Sequence, residues 1–69
     1  MYTPGTVVRI RSNCRDYMVP PLTAGIVQEI NNERGSYNTY VKWDRRIGNS
    51  PHMTTWVEER GIEPLPDPP

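Results

Sequence analysis

Residues 37–44, with the sequence YNTYVKWD, show the clearest two-residue alternation in the chain. Large or β-branched side chains alternate with polar ones, a pattern typical of a strand with one buried face. One predicted face carries Tyr37, Thr39, Val41 and Trp43, and the other carries Asn38, Tyr40, Lys42 and Asp44. We therefore predict a strand over this stretch. If Tyr37, Val41 and Trp43 face the interior, Tyr40 and Lys42 face outward.

The same period of two recurs on both sides of this stretch, between segments that contain turn-forming proline and glycine. It predicts four further strands at Thr6–Arg11, Gly25–Ile30, Met53–Val57 and Ile62–Leu65. The connection Ser12–Ala24 contains Pro20 and Pro21, whose missing N–H groups rule out a regular ladder. Glu58–Gly61 is too short for an α-helix and predicts a single 3₁₀ turn.

Length and composition limit the size of the fold and the class of partner. With 69 residues, the chain has room for one modest core. Its 8 basic and 8 acidic side chains cancel, so the net charge indicates no partner. No segment approaches the roughly 18 apolar residues of a membrane span, so we expect no membrane insertion. The single Cys14 and the N-terminal sequence favour a reducing, cytoplasmic location.

Together these elements predict an all-β fold, a five-stranded SH3-like barrel with a short 3₁₀ turn before the last strand. Residues 1–65 would form this single barrel, and residues 66–69 a flexible proline-rich tail. The predicted core consists of Val8, Ile10, Ile26, Ile30, Val41, Trp43, Val57 and Ile62.

Four segments carry a resemblance to a known family: GTVVRIR at 5–11, AGIVQEI at 24–30, YVKWD at 40–44 and TTWVEERGIEPL at 54–65. Their order resembles the small E-type barrel of photosystem I and related bacterial SH3-like domains over about residues 5–65. In photosystem I, the E-type barrel docks ferredoxin at the stromal or cytoplasmic side of a membrane complex. We carry over the barrel and not the photosystem, because these motifs define architecture more than activity.

The residue types of an active site do not occur at useful spacing. Cys14 and His52 are the only thiol and imidazole, so a thiol-dependent enzyme would have to use this pair. Two ligands do not close a zinc site, and the glycines never cluster into a phosphate loop. We therefore predict a protein that is not an enzyme and has no metal or cofactor.

The aromatic residues are the more informative candidates for a binding site. Tyrosine and tryptophan replace phenylalanine throughout, which suits either the margin of a small core or a binding surface. In SH3-like barrels, peptides dock between the first long loop and the hairpin of strands three and four. The resemblance therefore implies Tyr17, Tyr40 and Trp56 as a ligand platform. Alternatively, Trp43 and Trp56 fill both ends of the barrel, and Tyr17 packs its loop onto the barrel.

The arginines allow two interpretations. Arg9 and Arg11 could pair with Glu63, because the first and last strands are neighbours in the predicted topology. Alternatively, a basic rim surrounds the exposed aromatic residues and consists of Arg11, Arg15, Lys42, Arg45 and Arg46.

Two functions follow from these alternatives. The leading prediction is a small non-catalytic protein-binding or complex-docking module with Tyr17, Tyr40, Trp56, Arg45 and Arg46 as candidate ligand-binding residues. The alternative is a nucleic-acid-binding adaptor that uses the arginine rim.

Overall fold

The structure is a computed structural model, and it describes residues 2–14, 19–45 and 53–65. Five strands lie in one antiparallel sheet: β1 Val7–Ile10, β2 Ala24–Ile30, β3 Thr39–Trp43, β4 Thr54–Val57 and β5 Ile62–Pro64. Two 3₁₀ turns complete the described structure, one at Asn32–Arg34 and one at Glu59–Gly61 directly before β5. The prediction of an all-β fold with a 3₁₀ turn before the last strand is confirmed.

The strands lie in the order β4-β3-β2-β1-β5, so β4 and β5 are the two edges of the sheet. β1 pairs with β5 as the sequence predicted, with Arg9 opposite Glu63. The sheet is not closed, and its description as an SH3-like barrel stays a prediction. The predicted tail at 66–69 lies outside the described residues. Within the described residues, no helix is long and apolar enough to cross a membrane.

One face of the sheet packs into a core of buried apolar side chains: Val8, Ile10, Val19, Val27, Val41, Trp43, Val57 and Ile62. The predicted core is therefore correct for six residues: Val8, Ile10, Val41, Trp43, Val57 and Ile62. It is wrong for Ile26, which is 45% exposed, whereas Ile30 is only partly buried and packs against the core.

A β-bulge in β2 explains the error at Ile26. Val27 pairs with Val41, but Glu29 pairs with Tyr40, so Gln28 is an extra residue in β2. An extra residue reverses the facing of all following side chains. Ile26 and Ile30 therefore lie on opposite faces of the sheet, and Val27 takes the buried position.

Tyr37 also departs from the predicted alternation. β3 begins only at Thr39, and Tyr37 is 44% exposed in the segment that follows Gly35. Gly35 has a φ of 75°, so the chain reverses here before it joins the sheet. The inward position predicted for the start of the strand belongs to Thr39, which is fully buried opposite Val57.

Val19 is a core residue that the sequence pattern did not reveal. It lies in the long connection between β1 and β2 and is 2% exposed. The segment after it is folded into a turn in which the Thr23 hydroxyl donates to the Pro20 carbonyl at 2.8 Å. The connection that contains the proline pair is therefore not entirely solvent-exposed.

Candidate protein-binding surface

Tyr40 and Trp56 form a cross-strand pair on the outer face of the sheet. The register places Tyr40 of β3 opposite Trp56 of β4, while Val41 and Thr55 form the next pair. Val41 is buried in the core, so the alternation of β3 directs Tyr40 outward. Both aromatic side chains are partly exposed, and both belong to the platform that the sequence predicted.

The two rings are held in a defined arrangement. Their centroids lie 4.8 Å apart and their planes make an angle of 37°. Aromatic pairs at such separations stabilise a protein by about 0.5–1.5 kcal/mol, in addition to the stabilisation from the apolar area that they bury. The Tyr40 hydroxyl donates to Thr54 Oγ1 at 2.7 Å, which anchors the ring on β4 as well. The platform is thus already organised before any ligand binds.

Arg34 covers the Trp56 ring. Its guanidinium carbon lies 4.0 Å from the ring centroid, a cation–π contact. The 3₁₀ turn that carries Arg34 is capped by Asn31, whose side chain accepts from the Glu33 N–H at 3.1 Å. Arg34 Nε also donates to the Tyr37 carbonyl at 3.3 Å. We call the group of Arg34, Tyr40, Thr54 and Trp56 the aromatic surface.

Sequence reasoning missed Arg34. The available signal was the short polar segment NNERG at 31–35, which joins the strand before Tyr40 to the strand that carries it. A turn at that end of β3 lies close to outward-facing residues at the start of the strand. Arginine also stacks on aromatic faces more readily than lysine.

The remaining predicted ligand residues are not part of this surface. Tyr17 and Arg46 lie outside the described residues. Arg45 is exposed and follows the end of β3, whereas Tyr40 is near its beginning. Within the described ranges, no hydrogen bond, ion pair or ring contact connects Arg45 to Tyr40 or Trp56.

The structure separates the two tryptophans by role. Trp43 is 1% exposed, and its indole N–H donates to Thr55 Oγ1 at 2.9 Å. Trp56 lies on the opposite face of the sheet. The alternative in which both tryptophans fill the interior therefore applies only to Trp43.

The predicted pairing of the first and last strands is confirmed. Arg9 Nε lies 2.6 Å from Glu63 Oε2, and Arg11 reaches Glu63 Oε1 at 3.3 Å. A further ion pair joins Arg60 Nε to Glu58 Oε2 at 2.7 Å. Arg11, a member of the predicted basic rim, is thus already paired with a carboxylate. Two other rim members, Arg15 and Arg46, lie outside the described residues.

Two further concave surfaces are formed by the described residues, and neither is lined by a residue of the aromatic surface. An open polar groove of about 700 Å³ contains Tyr2, Arg11 and Glu59. Burial raises the pKa of Tyr2, Glu59 and Glu63 raise it further, and Arg11 opposes them. An apolar groove of about 440 Å³ lies beside the exposed pair of Val7 and Ile26.

The Cys14–His52 pair that a thiol-dependent enzyme would need lies only partly within the described residues. Cys14 is a free, partly buried thiol that packs against the core, whereas His52 lies outside the described residues. The described part of the chain contains no group of three or more His, Cys, Asp or Glu side chains that could hold a metal ion.

No protein-family model, curated protein or solved structure matches the chain. The resemblance to the E-type barrel of photosystem I and to other SH3-like domains therefore stays a prediction from the sequence motifs.

Proposed function

We propose that the protein is a small non-catalytic module that binds a protein partner or docks onto a larger complex through the aromatic surface. The observation that carries this proposal is the outward-facing pair of Tyr40 and Trp56 at 4.8 Å, with Arg34 over the indole. Tryptophan, tyrosine and arginine are the residue types that most often dominate the binding energy of protein interfaces.

The fixed positions of the Tyr40 and Arg34 side chains support the proposal. A binding surface gains affinity when its anchors lose little conformational freedom on association. The Tyr40 hydroxyl is held by Thr54, and Arg34 is held by the Tyr37 carbonyl and the indole ring. The surface therefore combines exposed aromatic area with a low cost of ordering.

The charge distribution favours a protein partner over nucleic acid. Non-specific nucleic-acid binding depends mainly on unpaired cations that contact phosphates. The sequence has no net charge, and Arg9, Arg11 and Arg60 are paired with glutamates.

A single free Cys14 fits the expected reducing, cytoplasmic setting.

A capture experiment with matched variants tests this function. The tagged protein would be compared with Trp56→Ala and with Val7→Ala, which removes an exposed apolar side chain from β1. We expect proteins enriched by the parent chain to be lost at least tenfold with Trp56→Ala and retained with Val7→Ala. Circular dichroism would confirm that both variants are folded.

Equal capture by all three chains would contradict the proposal. A separate titration with single-stranded oligonucleotides distinguishes the alternative function. We expect negligible binding at physiological salt. Micromolar binding that weakens steeply with salt would instead support a nucleic-acid adaptor.

A further inference from the structure

The apolar groove of about 440 Å³ lies on the outer face of the sheet, across β1, β2 and β3. Val7 and Ile26 form a cross-strand pair in this groove and are 44% and 45% exposed. Ala24 and Met53 add to its apolar lining. Adjacent exposed apolar side chains with polar groups at their margin mark an interaction surface.

Two opposite charges line the same groove. Lys42 of β3 and Asp44, which follows β3, are both exposed. The Asp44 N–H donates to the Ala24 carbonyl at 3.0 Å, so the pairing with β2 continues to Asp44. Because Trp43 between them is buried, Lys42 and Asp44 lie on the outer face, about 6.8 Å apart along the chain. Neither makes an ion pair within the part of the chain that the structure describes.

We propose that this groove is the interface of a symmetric dimer of the chain, in which Lys42 of each copy pairs with Asp44 of the other. A two-fold axis that crosses β3 between the two residues exchanges their positions. The two β3 strands then lie antiparallel, face to face, at the usual sheet separation of about 10 Å. A lysine and an aspartate side chain together span that separation, so two equivalent ion pairs form.

The same two-fold axis covers the apolar part of the groove. Ile26 lies opposite Lys42 in the register of β2 and β3, and Ala24 is paired with Asp44. The axis therefore crosses β2 between Ala24 and Ile26. Ile26 of one copy lies over Ala24 of the other, and its exposed apolar surface is removed from water.

The other charges on this part of the sheet are compatible with the dimer. Arg9 and Glu63 already form an ion pair at 2.6 Å within each copy. Val7 of one copy lies over Arg9 of the other and can pack against the aliphatic part of its side chain. Arg45 is exposed but does not line the groove.

The pattern of charge selects a second copy as the occupant. A cationic or an anionic ligand would pair with only one of Lys42 and Asp44 and would lie close to a like charge on the other. A wholly apolar ligand would cover both charges without a partner, which is unfavourable. A second copy in the two-fold arrangement supplies an opposite charge to each.

Sedimentation velocity of the full chain tests the dimer directly. A standard stable interface takes about 20–30 residues from each partner, whereas 8 residues line the groove. We therefore expect weak, reversible dimers whose fraction rises between about 10 µM and about 1 mM protein. A monomer throughout this range would overturn the inference and leave the groove to another ligand.

Charge reversal tests the reciprocal ion pairs. Lys42→Asp places two carboxylates at each contact, and Asp44→Lys places two ammonium groups there, so each should weaken self-association at least tenfold. The double variant with both substitutions should restore it to within threefold of the parent chain. An equimolar mixture of the two single variants should form heterodimers, because every contact then joins a cation to an anion.

Two further variants serve as controls. Ile26→Ser removes an exposed apolar side chain and should weaken self-association at least fivefold, so it decides the test if a charge variant does not fold by circular dichroism. Trp56→Ala should leave self-association within threefold of the parent chain, because Trp56 does not line the groove.

The outcomes separate the dimer from the proposed function. Self-association that survives both charge reversals, or that the double variant does not restore, would overturn the inference. Dimers lost with Trp56→Ala but retained with Lys42→Asp would assign self-association to the aromatic surface and would also overturn it. The docking function is decided independently by the capture experiment.

Discussion

Replacement of Gly25 by alanine tests how tightly β2 crosses the core. An added Cβ would lie 2.7 Å from Trp43 Cε3, 2.7 Å from Val41 Cγ1 and 2.8 Å from the Lys42 carbonyl oxygen. Carbon atoms in contact are normally about 3.5–4.0 Å apart, so the new methyl group has no room. The Lys42 oxygen belongs to the backbone of the neighbouring strand β3, so it cannot move unless the hydrogen bonds between β2 and β3 shift as well.

The expected cost follows from two opposing contributions. Overpacking costs about 1–3 kcal/mol, whereas loss of glycine freedom in the unfolded chain contributes about 0.4–1 kcal/mol of stability. Because all three contacts are shorter than 3.0 Å, overpacking should lie in the upper half of its range, and we expect Gly25→Ala to lower the free energy of unfolding by about 1–2.6 kcal/mol. For a domain of 69 residues this is a large fraction of about 3–10 kcal/mol in total.

Urea denaturation followed by tryptophan fluorescence measures this loss. A double-mutant cycle with Val41→Ala provides the control, because that variant removes one of the contacting atoms and should reduce the cost of Gly25→Ala. An unchanged or raised midpoint for Gly25→Ala would refute the packing of Gly25 against Trp43.

Three further predictions address the facing of β2, a buried hydrogen bond and a titrating group. Val27→Ala should cost about 1.5–3 kcal/mol in urea denaturation and Ile26→Ala less than about 1 kcal/mol, and the reverse order would contradict the inward position of Val27 and the outward position of Ile26. Thr55→Val should cost about 1–3 kcal/mol because it leaves the Trp43 indole N–H buried without an acceptor, whereas Thr55→Ser should restore most of the loss. Since burial raises the pKa of Tyr2, the folded state retains its proton longer than the unfolded chain as the pH rises. Stability should therefore fall above about pH 10, and Tyr2→Phe should remove part of that fall; identical alkaline profiles would contradict it.

The fold could be predicted because the alternation of β1, β3 and β4 follows regular strand geometry. Val8, Val41 and Val57 are buried where a period of two places them. The bulge at Gln28 could not be predicted in this way, because a single inserted residue leaves no distinct sequence pattern. Val19 was missed for a different reason, since its burial depends on the path of an irregular connection.

The candidate site was only partly accessible from the sequence. Tyr40 and Trp56 could be assigned to the outer face by alternation, but their registry requires knowledge of how β3 pairs with β4. The contact of Arg34 with Trp56 depends on the path of a turn between two other strands. The salt bridge from Arg9 to Glu63 was predictable because the neighbouring strands were correctly assigned.

Hydrogen–deuterium exchange of the protein in complex with a captured partner tests the docking surface most directly. We predict that new protection is confined to β3, β4 and the turn at Asn32–Arg34, which together carry the aromatic surface. Protection that appears instead on the exposed face of β1 and β2, around Val7 and Ile26, would contradict the assignment of the binding site to Tyr40 and Trp56.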